Sequence, residues 1–256
     1  MITAGIDVGA SSVKAVIMDG DKILAKFRQP AEGEEEQVIK DAFEGALKKS
    51  GKSKDDLEKI VATGAGAKNV DFADDIVTDI SSGARGAVFE VPGSRTVVDV
   101  GAENARAVKC DETGKLMDFA TNERCAAGSG AFIEAMARAL QTDFEKFIAY
   151  HFESDKDIPL NAQCVVFAES EVVSLINSDA TTADISRAIN NSIAERASSM
   201  TRRVGIEKTV TCIGGVALNK GFIDSLQRFL ETDVTIPEDP IYTNAVGAAL
   251  IAQAQG

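Results

Sequence analysis

Residues 5–16 read Gly-Ile-Asp-Val-Gly-Ala-Ser-Ser-Val-Lys-Ala-Val, and residues 97–108 repeat the pattern as Val-Val-Asp-Val-Gly-Ala-Glu-Asn-Ala-Arg-Ala-Val. The matching positions are Asp7 and Asp99, Gly9 and Gly101, Ala10 and Ala102, and the basic pair Lys14 and Arg106. Each copy has the pattern of a strand, a glycine turn, a strand, a polar turn and a strand, which predicts a small antiparallel meander. Two copies about a domain-length apart indicate two related domains that face one ligand.

The end of the first strand in each copy has the chemistry of a phosphate site. An aspartate that ends an apolar strand, with glycine two residues later, offers a carboxylate beside uncovered backbone N–H groups. Such a pair of groups suits a phosphate with its Mg²⁺. One copy is weak evidence, since Asp7 and Asp99 have the alternative of being turn formers and Lys14 of being a solvated lysine. The shared register of the two copies favours the phosphate site.

The composition excludes several classes of function. The chain has 27 basic and 40 acidic residues, and the net charge of −13 argues against nucleic acid or an anionic membrane as the main partner. With His151 as the single histidine, histidine-based metal sites and catalytic triads are nearly excluded. No stretch has the apolar length of a membrane span and no signal peptide is evident, so we expect a cytoplasmic protein. Its four cysteines are then expected to be buried thiols or metal ligands rather than disulfides.

The order of elements predicts an α/β protein of two domains. Apolar spacing predicts helices over about 36–50, 81–91, 182–203 and 244–254, which alternate with strands after each meander. This order indicates mixed sheets flanked by helices. The Pro92-Gly93 pair is the predicted boundary between an N-terminal domain of residues 1–92 and a C-terminal domain of residues 93–256. The last helix is expected to pack back on the first domain.

The two hairpins and a later Gly214-Gly215 pair together resemble the actin, sugar-kinase and Hsp70 ATPase superfamily. The resemblance implies two duplicated RNase H-like domains that bind ATP or ADP with Mg²⁺. It assigns to the first phosphate loop Asp7, Gly9, Ala10, Ser11, Ser12 and Lys14. It assigns to the second loop Asp99, Gly101 and Ala102, and to the adenosine side Gly214, Gly215, Val216 and Asn219. The chemistry agrees, because glycine turns let backbone donors approach phosphate oxygens and the aspartates can orient hydrated Mg²⁺.

Two cysteine motifs narrow the resemblance. Residues 122–130 (Asn-Glu-Arg-Cys-Ala-Ala-Gly-Ser-Gly) and 164–172 (Cys-Val-Val-Phe-Ala-Glu-Ser-Glu-Val) are similar to motifs of the ATPases that activate 2-hydroxyacyl-CoA dehydratases or serve benzoyl-CoA reductase. Taken alone, two cysteines are more often core thiols, by roughly 4 to 1. The resemblance reverses those odds. It implies that Cys125 and Cys164 give two of the four ligands of a 4Fe–4S cluster shared with a second, identical or homologous, subunit. Cys110 and Cys212 are expected to be small buried hydrophobes.

The same resemblance implies an electron-transfer function. ATP turnover would drive an electron from the cluster, supplied by reduced ferredoxin or flavodoxin, to a reductase or dehydratase component that acts on an acyl-CoA. Dehydratase activators usually carry Gly-Gly-Gln-Asp in the second loop, where this chain has Gly-Ala-Glu-Asn at 101–104. That departure, together with residues 82–87, favours a benzoyl-CoA reductase ATPase subunit. It also adds Glu103 to the candidate catalytic residues Asp7 and Asp99.

Two alternatives remain open. The first is a small-molecule kinase, such as a sugar kinase, on the same fold. The second is a module that binds nucleotide without turning it over, which the negative charge of Glu103 near the γ-phosphate makes conceivable.

Overall fold

The computed structural model describes residues 1–122, 129–160 and 165–255. These residues form two five-stranded mixed sheets flanked by helices, so the predicted α/β fold class is confirmed. Among the helices of the described residues, none is both long and apolar enough to cross a membrane.

The first sheet has the strand order β3-β2-β1-β4-β5. Strand β1 runs antiparallel to β2 and parallel to β4. The elements of this half are β1 (Ile2–Val8), β2 (Ser12–Asp19), β3 (Lys22–Pro30), α1 (Glu35–Ser50), β4 (Lys59–Thr63), β5 (Asp75–Ile76) and α2 (Asp79–Glu90).

The second sheet has the order β10-β9-β6-β7-β8, and β6 runs antiparallel to β7 and parallel to β9. Three helices absent from the first half stand between β8 and the long helix α6. The elements are β6 (Thr96–Val100), β7 (Ala105–Cys110), β8 (Leu116–Asn122), α3 (Gly130–Ala139), α4 (Phe144–His151), α5 (Val165–Ile176), α6 (Thr182–Val204), β9 (Val210–Ile213), α7 (Lys220–Leu230), β10 (Val234–Thr235) and α8 (Thr243–Ala254).

The two sheets are copies of one another in register as well as in strand order. Asp7 pairs with Lys14 across β1 and β2, and Asp99 pairs with Arg106 across β6 and β7. Each connecting turn closes with a backbone hydrogen bond across four residues, from Gly9 N to Ser12 O (3.2 Å) and from Gly101 N to Asn104 O (2.8 Å). The repeat seen in the sequence is therefore a structural duplication.

The four predicted helices form close to their predicted bounds, and α1 has the regular apolar face that the spacing predicts. Helix α1 buries Val38, Ala42 and Ala46 at helical spacing. It ends at Gly51, whose φ of 69° is the left-handed conformation that suits glycine at a helix C-terminus. The helices predicted over 81–91, 182–203 and 244–254 correspond to α2, α6 and α8.

Helices α2 and α8 exchange sheets. Helix α2 follows the first sheet in the chain, but its Ala84 and Ala87 pack on Val97 of the second sheet. Helix α8 follows the second sheet, but its Ala245 and Ala249 pack with the apolar side chains of the first sheet. Both halves are therefore joined through these two helices, and the division at Pro92-Gly93 stays a prediction.

The two exchanged helices touch backbone to backbone. A Cβ atom on Gly86 would lie 2.1 Å from the carbonyl oxygen of Thr243, and one on Gly247 would lie 1.7 Å from that of Ser82. Gly5 in β1 gives the same close approach, since its Cβ would lie 1.9 Å from the carbonyl oxygen of Ala245. Only glycine allows such contacts. The glycines therefore let α2 and α8 cross in direct backbone contact.

Candidate functional site

A cavity of about 300 Å³ lies between the two hairpins. Every residue predicted for the two phosphate loops lines it, as do the three adjacent predicted residues of the adenosine side. The predicted residues in its wall are Asp7, Gly9, Ala10, Ser11, Ser12, Lys14, Asp99, Gly101, Ala102, Glu103, Gly214, Gly215 and Val216.

Each strand-ending aspartate forms an ion pair with the basic residue opposite it. Lys14 Nζ lies 3.1 Å from Asp7 Oδ2, and Arg106 Nη1 lies 3.5 Å from Asp99 Oδ2, with all four side chains largely buried. Two carboxylates and two fixed cations thus face the cavity. Such an arrangement can hold an anionic phosphate and a hydrated divalent cation at the same time.

Burial controls the protonation of the first carboxylate. Removal from water raises the pKa of Asp7 above its usual value, while Lys14 acts in the opposite direction and the charge of Asp99 reinforces the rise. A divalent cation bound beside Asp7 would stabilise the ionised form and bring the pKa down.

Asp79, Arg106 and Asn244 are among the cavity residues that were not predicted. Asp79, the first residue of α2, and Asn244, in the first turn of α8, both line the cavity together with Arg106. Arg106 forms an ion pair with Asp79, and Asn244 Nδ2 donates to Asp99 Oδ2 at 3.2 Å. Burial raises the pKa of Asp79, and Arg106 opposes the rise. The alignment of the two repeats pairs Arg106 with Lys14 and so gave a signal for Arg106. Asp79 and Asn244 lie in the first turns of helices, where the local sequence has no pattern that indicates a binding site.

The duplication extends to a second pair of glycines. Gly64 follows β4 with φ +91°, and Gly214 follows β9 with φ +87°. A Cβ on Gly64 would lie 2.6 Å from Asp7 Oδ1, and one on Gly214 would lie 2.7 Å from Asp99 Oδ1. Each aspartate is therefore packed against a turn that only glycine can form.

Asn219 is placed away from the cavity. Its buried side chain caps α7, where Oδ1 accepts from the backbone N–H groups of Gly221 and Phe222 at 3.0 and 3.1 Å. A contact between Asn219 and adenosine stays a prediction. Glu103, by contrast, is exposed on the second turn and does line the cavity.

Five large apolar side chains contribute to the wall of the cavity. They are Ile133, Phe144, Val216, Leu218 and Ile241. Such side chains offer apolar surfaces on which a purine base can pack, and Val216 directly follows the Gly214-Gly215 pair in the chain.

Helix α3 is attached directly to the second loop. The backbone N–H of Gly130 donates to Gly101 O at 2.9 Å, and that of Ala131 donates to Ala102 O at 2.8 Å. These N–H groups belong to the first turn of the helix, where no partner exists within the helix itself. A shift of the second loop is therefore passed to the start of α3.

The predicted cluster ligands Cys125 and Cys164 lie outside the described residues. The other two cysteines are buried and free, as predicted. Burial raises the pKa of Cys110 to about 11 and raises that of Cys212 further. Both remain protonated at neutral pH and are unsuited to metal binding.

The described residues contain no group of three His, Cys, Asp or Glu side chains placed to hold a metal ion by themselves. Mg²⁺ generally keeps several waters and binds through one or two carboxylates plus nucleotide phosphates. Asp7 and Asp99 are among the carboxylates that line the cavity.

Two sheets of one strand order, with equivalent aspartate turns facing a shared cavity, define an ATPase of the actin-like fold. The chain belongs to the BadF/BadG/BcrA/BcrD ATPase family, whose model matches residues 4–252. The family expected from the cysteine motifs is therefore confirmed.

The solved structure of the activator of 2-hydroxyisocaproyl-CoA dehydratase from Clostridium difficile with bound ADPNP is 34% identical, with a TM-score of 0.91 over 100% of this chain and 95% of that chain. The activator of lactoyl-CoA dehydratase from Anaerotignum propionicum is 38% identical over 98% of this chain and 97% of its own length. A relative from Thauera aromatica, which is one of the subunits of benzoyl-CoA reductase, is 31% identical over 97% of this chain and 92% of its own length. The chain thus resembles both branches of the family, with higher identity to the activators than to that reductase component.

Proposed function

We propose that the protein is an ATP-hydrolysing activator that delivers low-potential electrons to a CoA-thioester dehydratase or reductase. Membership of an ATPase family supports the nucleotide part. The single structural observation that carries the proposal is the attachment of α3 to the second phosphate loop, because α3 begins five residues after Cys125. A change at the nucleotide then acts on the segment that holds a predicted cluster ligand.

The nucleotide part follows from the two loops. The backbone N–H groups of turns 9–12 and 101–104 approach the phosphates, and Lys14 and Arg106 neutralise their charge. Asp7 and Asp99 orient hydrated Mg²⁺ from opposite halves of the molecule. Both halves bind the nucleotide, so loss of the γ-phosphate removes contacts between the nucleotide and the two loops. The halves can then move apart about the α2–α8 crossing.

The cluster part rests on the sequence resemblance. Cys125 and Cys164 would supply two thiolates, and a second identical or homologous subunit the other two. When bound, the cluster supplies a one-electron carrier that reduced ferredoxin or flavodoxin recharges. This chain's own contribution is to move the ends of the segments that contain the two cysteines.

For the acceptor, we propose a 2-hydroxyacyl-CoA dehydratase ahead of a benzoyl-CoA reductase. Relatives at 38% and 34% identity are activators of such dehydratases, compared with 31% for the reductase component. The sequence of the second loop, taken alone, favours the reductase. Glu103 in that loop is exposed, so its difference from the usual glutamine leaves the buried ion pairs of the site unchanged.

Anaerobic purification tests the proposal. We expect a brown protein with about four irons per dimer and a cluster signal in electron paramagnetic resonance. Cys125→Ala and Cys164→Ala should each lose the cluster while folding normally, and the matched control Cys110→Ala should retain it. A colourless wild-type protein, or a cluster that survives both substitutions, would sink the electron-transfer assignment.

The same preparation distinguishes the proposed activator from a sugar kinase and from a module that only binds nucleotide. ATP consumption that depends on an added sugar would identify a kinase. Stoichiometric nucleotide binding without turnover, with or without reductant and acceptor protein, would identify a binding module.

A further inference from the structure

A series of connected polar side chains extends from the nucleotide cavity through the apolar core of the second half. It begins at Asn219, directly after the 3-10 turn Gly215–Leu218, most of which lines the cavity. Asn219 Nδ2 donates to Asn190 Oδ1 on α6 at 2.8 Å, and Asn190 Nδ2 lies 3.4 Å from His151 Nδ1 at the end of α4. Asn190, Asn219 and His151 are each fully buried.

His151 connects this series of polar side chains to α7. Its Nε2 lies 3.0 Å from Asp224 Oδ2, so the neutral tautomer with hydrogen on Nε2 satisfies both ring nitrogens. Asp224 in turn lies 3.7 Å from Arg228 Nε one helical turn later. Gly221 allows the His151 ring to pack closely against α7, because a Cβ on Gly221 would lie 2.8 Å from that ring.

Arg228 completes the path to an exposed segment. Its Nη2 donates to Asn191 Oδ1 at 2.6 Å, and its Nη1 donates to Asp157 Oδ1 at 3.4 Å. Asn191 Nδ2 also donates to Asp157 Oδ1, at 3.1 Å. The exposed carboxylate of Asp157 is thus held by two side chains that belong to the network, one on α6 and one on α7.

The segment held in this way is short and leads towards a predicted cluster ligand. Residues 155–160 follow α4, and Cys164 comes four residues after Leu160. Lys156 adds a second attachment, because its Nζ lies 2.8 Å from Asp184 Oδ2 at the start of α6. Leu160 packs in the apolar core beside these helices.

A buried polar network of this kind is expensive to desolvate and is retained where it fixes one geometry. Simple helix packing needs apolar side chains at these positions. A path of hydrogen-bonded groups, with one ion pair between Asp224 and Arg228, instead fixes the surface segment relative to the ligand turn.

We propose that the side chains from Asn219 to Asp157 form a positioning network that transmits nucleotide occupancy of the 215–218 turn to residues 155–160. The inference rests on the proposed nucleotide function. Binding at the turn fixes Asn219, the network then holds Asp157 more firmly, and residues 155–160 open less often. This path is separate from the attachment of α3, so the two segments that contain the predicted ligands respond through different contacts.

Hydrogen exchange of the full-length protein tests the network without any cluster. We expect ADPNP with Mg²⁺ to slow amide exchange across 153–160 by about tenfold in the wild type. In Asp157→Ala the ratio between nucleotide-free and nucleotide-bound exchange should fall below about twofold. Asp155→Ala is the matched control, because Asp155 is exposed and is not hydrogen-bonded to α6 or α7 in the described part of the chain.

A merely structural role would raise exchange in Asp157→Ala equally with and without nucleotide and leave the ratio at its wild-type value, which would refute the network. The variant Asn190→Leu interrupts the buried part and should lower the ratio in the same way. Calorimetric titration with ADPNP shows whether the proposed nucleotide function is wrong or only the proposed network. No binding by the wild type refutes the proposed function, whereas normal binding with an unchanged ratio in Asp157→Ala refutes the network alone.

Discussion

Asp7 and Asp99 occupy the same position in two copies of one sheet, but their surroundings differ. Asp7 has Lys14 as its ion-pair partner. Asp99 has Arg106 and also Asn244, and Arg106 itself reaches Asp79. The second carboxylate is therefore held by the first turns of both exchanged helices, and the first is not. Motion of those helices changes the surroundings of Asp99 more than those of Asp7.

Gly214→Ala should destabilise the protein and displace Asp99. The new Cβ would lie 2.5 Å from Val100 O, and φ is +87°. We expect a loss of about 1–3 kcal/mol in the free energy of unfolding, measured by urea denaturation, together with weaker nucleotide binding. Gly215→Ala is the control, because a Cβ there meets no atom within 4 Å. Equal stability of the two variants would contradict the packing of Asp99 against this turn.

His151 should make the protein less stable in acid. Burial lowers the pKa of His151 below its ordinary 6.5, although Asp224 opposes the shift. Below about pH 6.5 the unfolded chain binds a proton that the folded chain does not, so stability falls as pH drops from 7 towards the folded-state pKa. The slope from this one group approaches at most about 1.4 kcal/mol per pH unit.

Urea unfolding at pH 7.5 and 5.5 measures this effect against His151→Gln, which cannot titrate. The wild type should lose more stability than the variant on acidification. The raised pKa values of Asp7, Asp79 and Glu90 act in the opposite direction but are present in both proteins. Identical losses in the two proteins would show that His151 titrates as it does in water.

At the scale of elements, the first turn of α3 can be tested by removing a single donor. Gly130→Pro replaces the N–H that bonds Gly101 O with a ring carbon that also crowds this oxygen, and proline is tolerated at the first position of a helix. Ser129 before it has φ −131° and ψ 170°, which suits a residue preceding proline. Gly130→Ala adds a comparable Cβ and keeps the donor.

We expect Gly130→Pro to bind ADPNP about five- to tenfold more weakly than Gly130→Ala, as measured by calorimetry, because the hydrogen bond that supports the loop is lost and the proline ring displaces Gly101 O. If both variants bind equally, the attachment of α3 does not support the second loop.

Much of the fold and half of the site were predictable from local pattern. The aspartate hairpins, the Gly214 turn and the long helices each leave a signal within a dozen residues. The equivalence of Gly64 to Gly214 depends on strand register, which a single sequence does not contain. Asp79 and Asn244 reach the cavity only because α2 and α8 exchange sheets, and that depends on tertiary packing. The burial of His151 was not predictable, because the helices that bury it are distant in sequence.

At the scale of the whole molecule, a nucleotide should stabilise the protein because both halves hold it. Saturation at about 100 times the dissociation constant adds roughly 2.7 kcal/mol. Asp7→Asn and Asp99→Asn should each reduce the rise in melting temperature produced by ADP with Mg²⁺, and removal of Mg²⁺ by a chelator should reduce it in the wild type. Asp233→Asn, at a position that does not line the cavity, should behave as the wild type. A full rise in both loop variants would exclude these carboxylates from Mg²⁺ binding.

The exchange of α2 and α8 has a consequence for any attempt to cut the chain. A fragment ending at Pro92 would keep the first sheet and α1 but lack α8, which covers the other face of that sheet, and it would carry α2 with no partner for its apolar face. The complementary fragment has the reverse defect. Each fragment expressed alone should aggregate. When both are produced in one cell, they should assemble into a nicked but native protein, because each fragment supplies the helix that covers the sheet of the other.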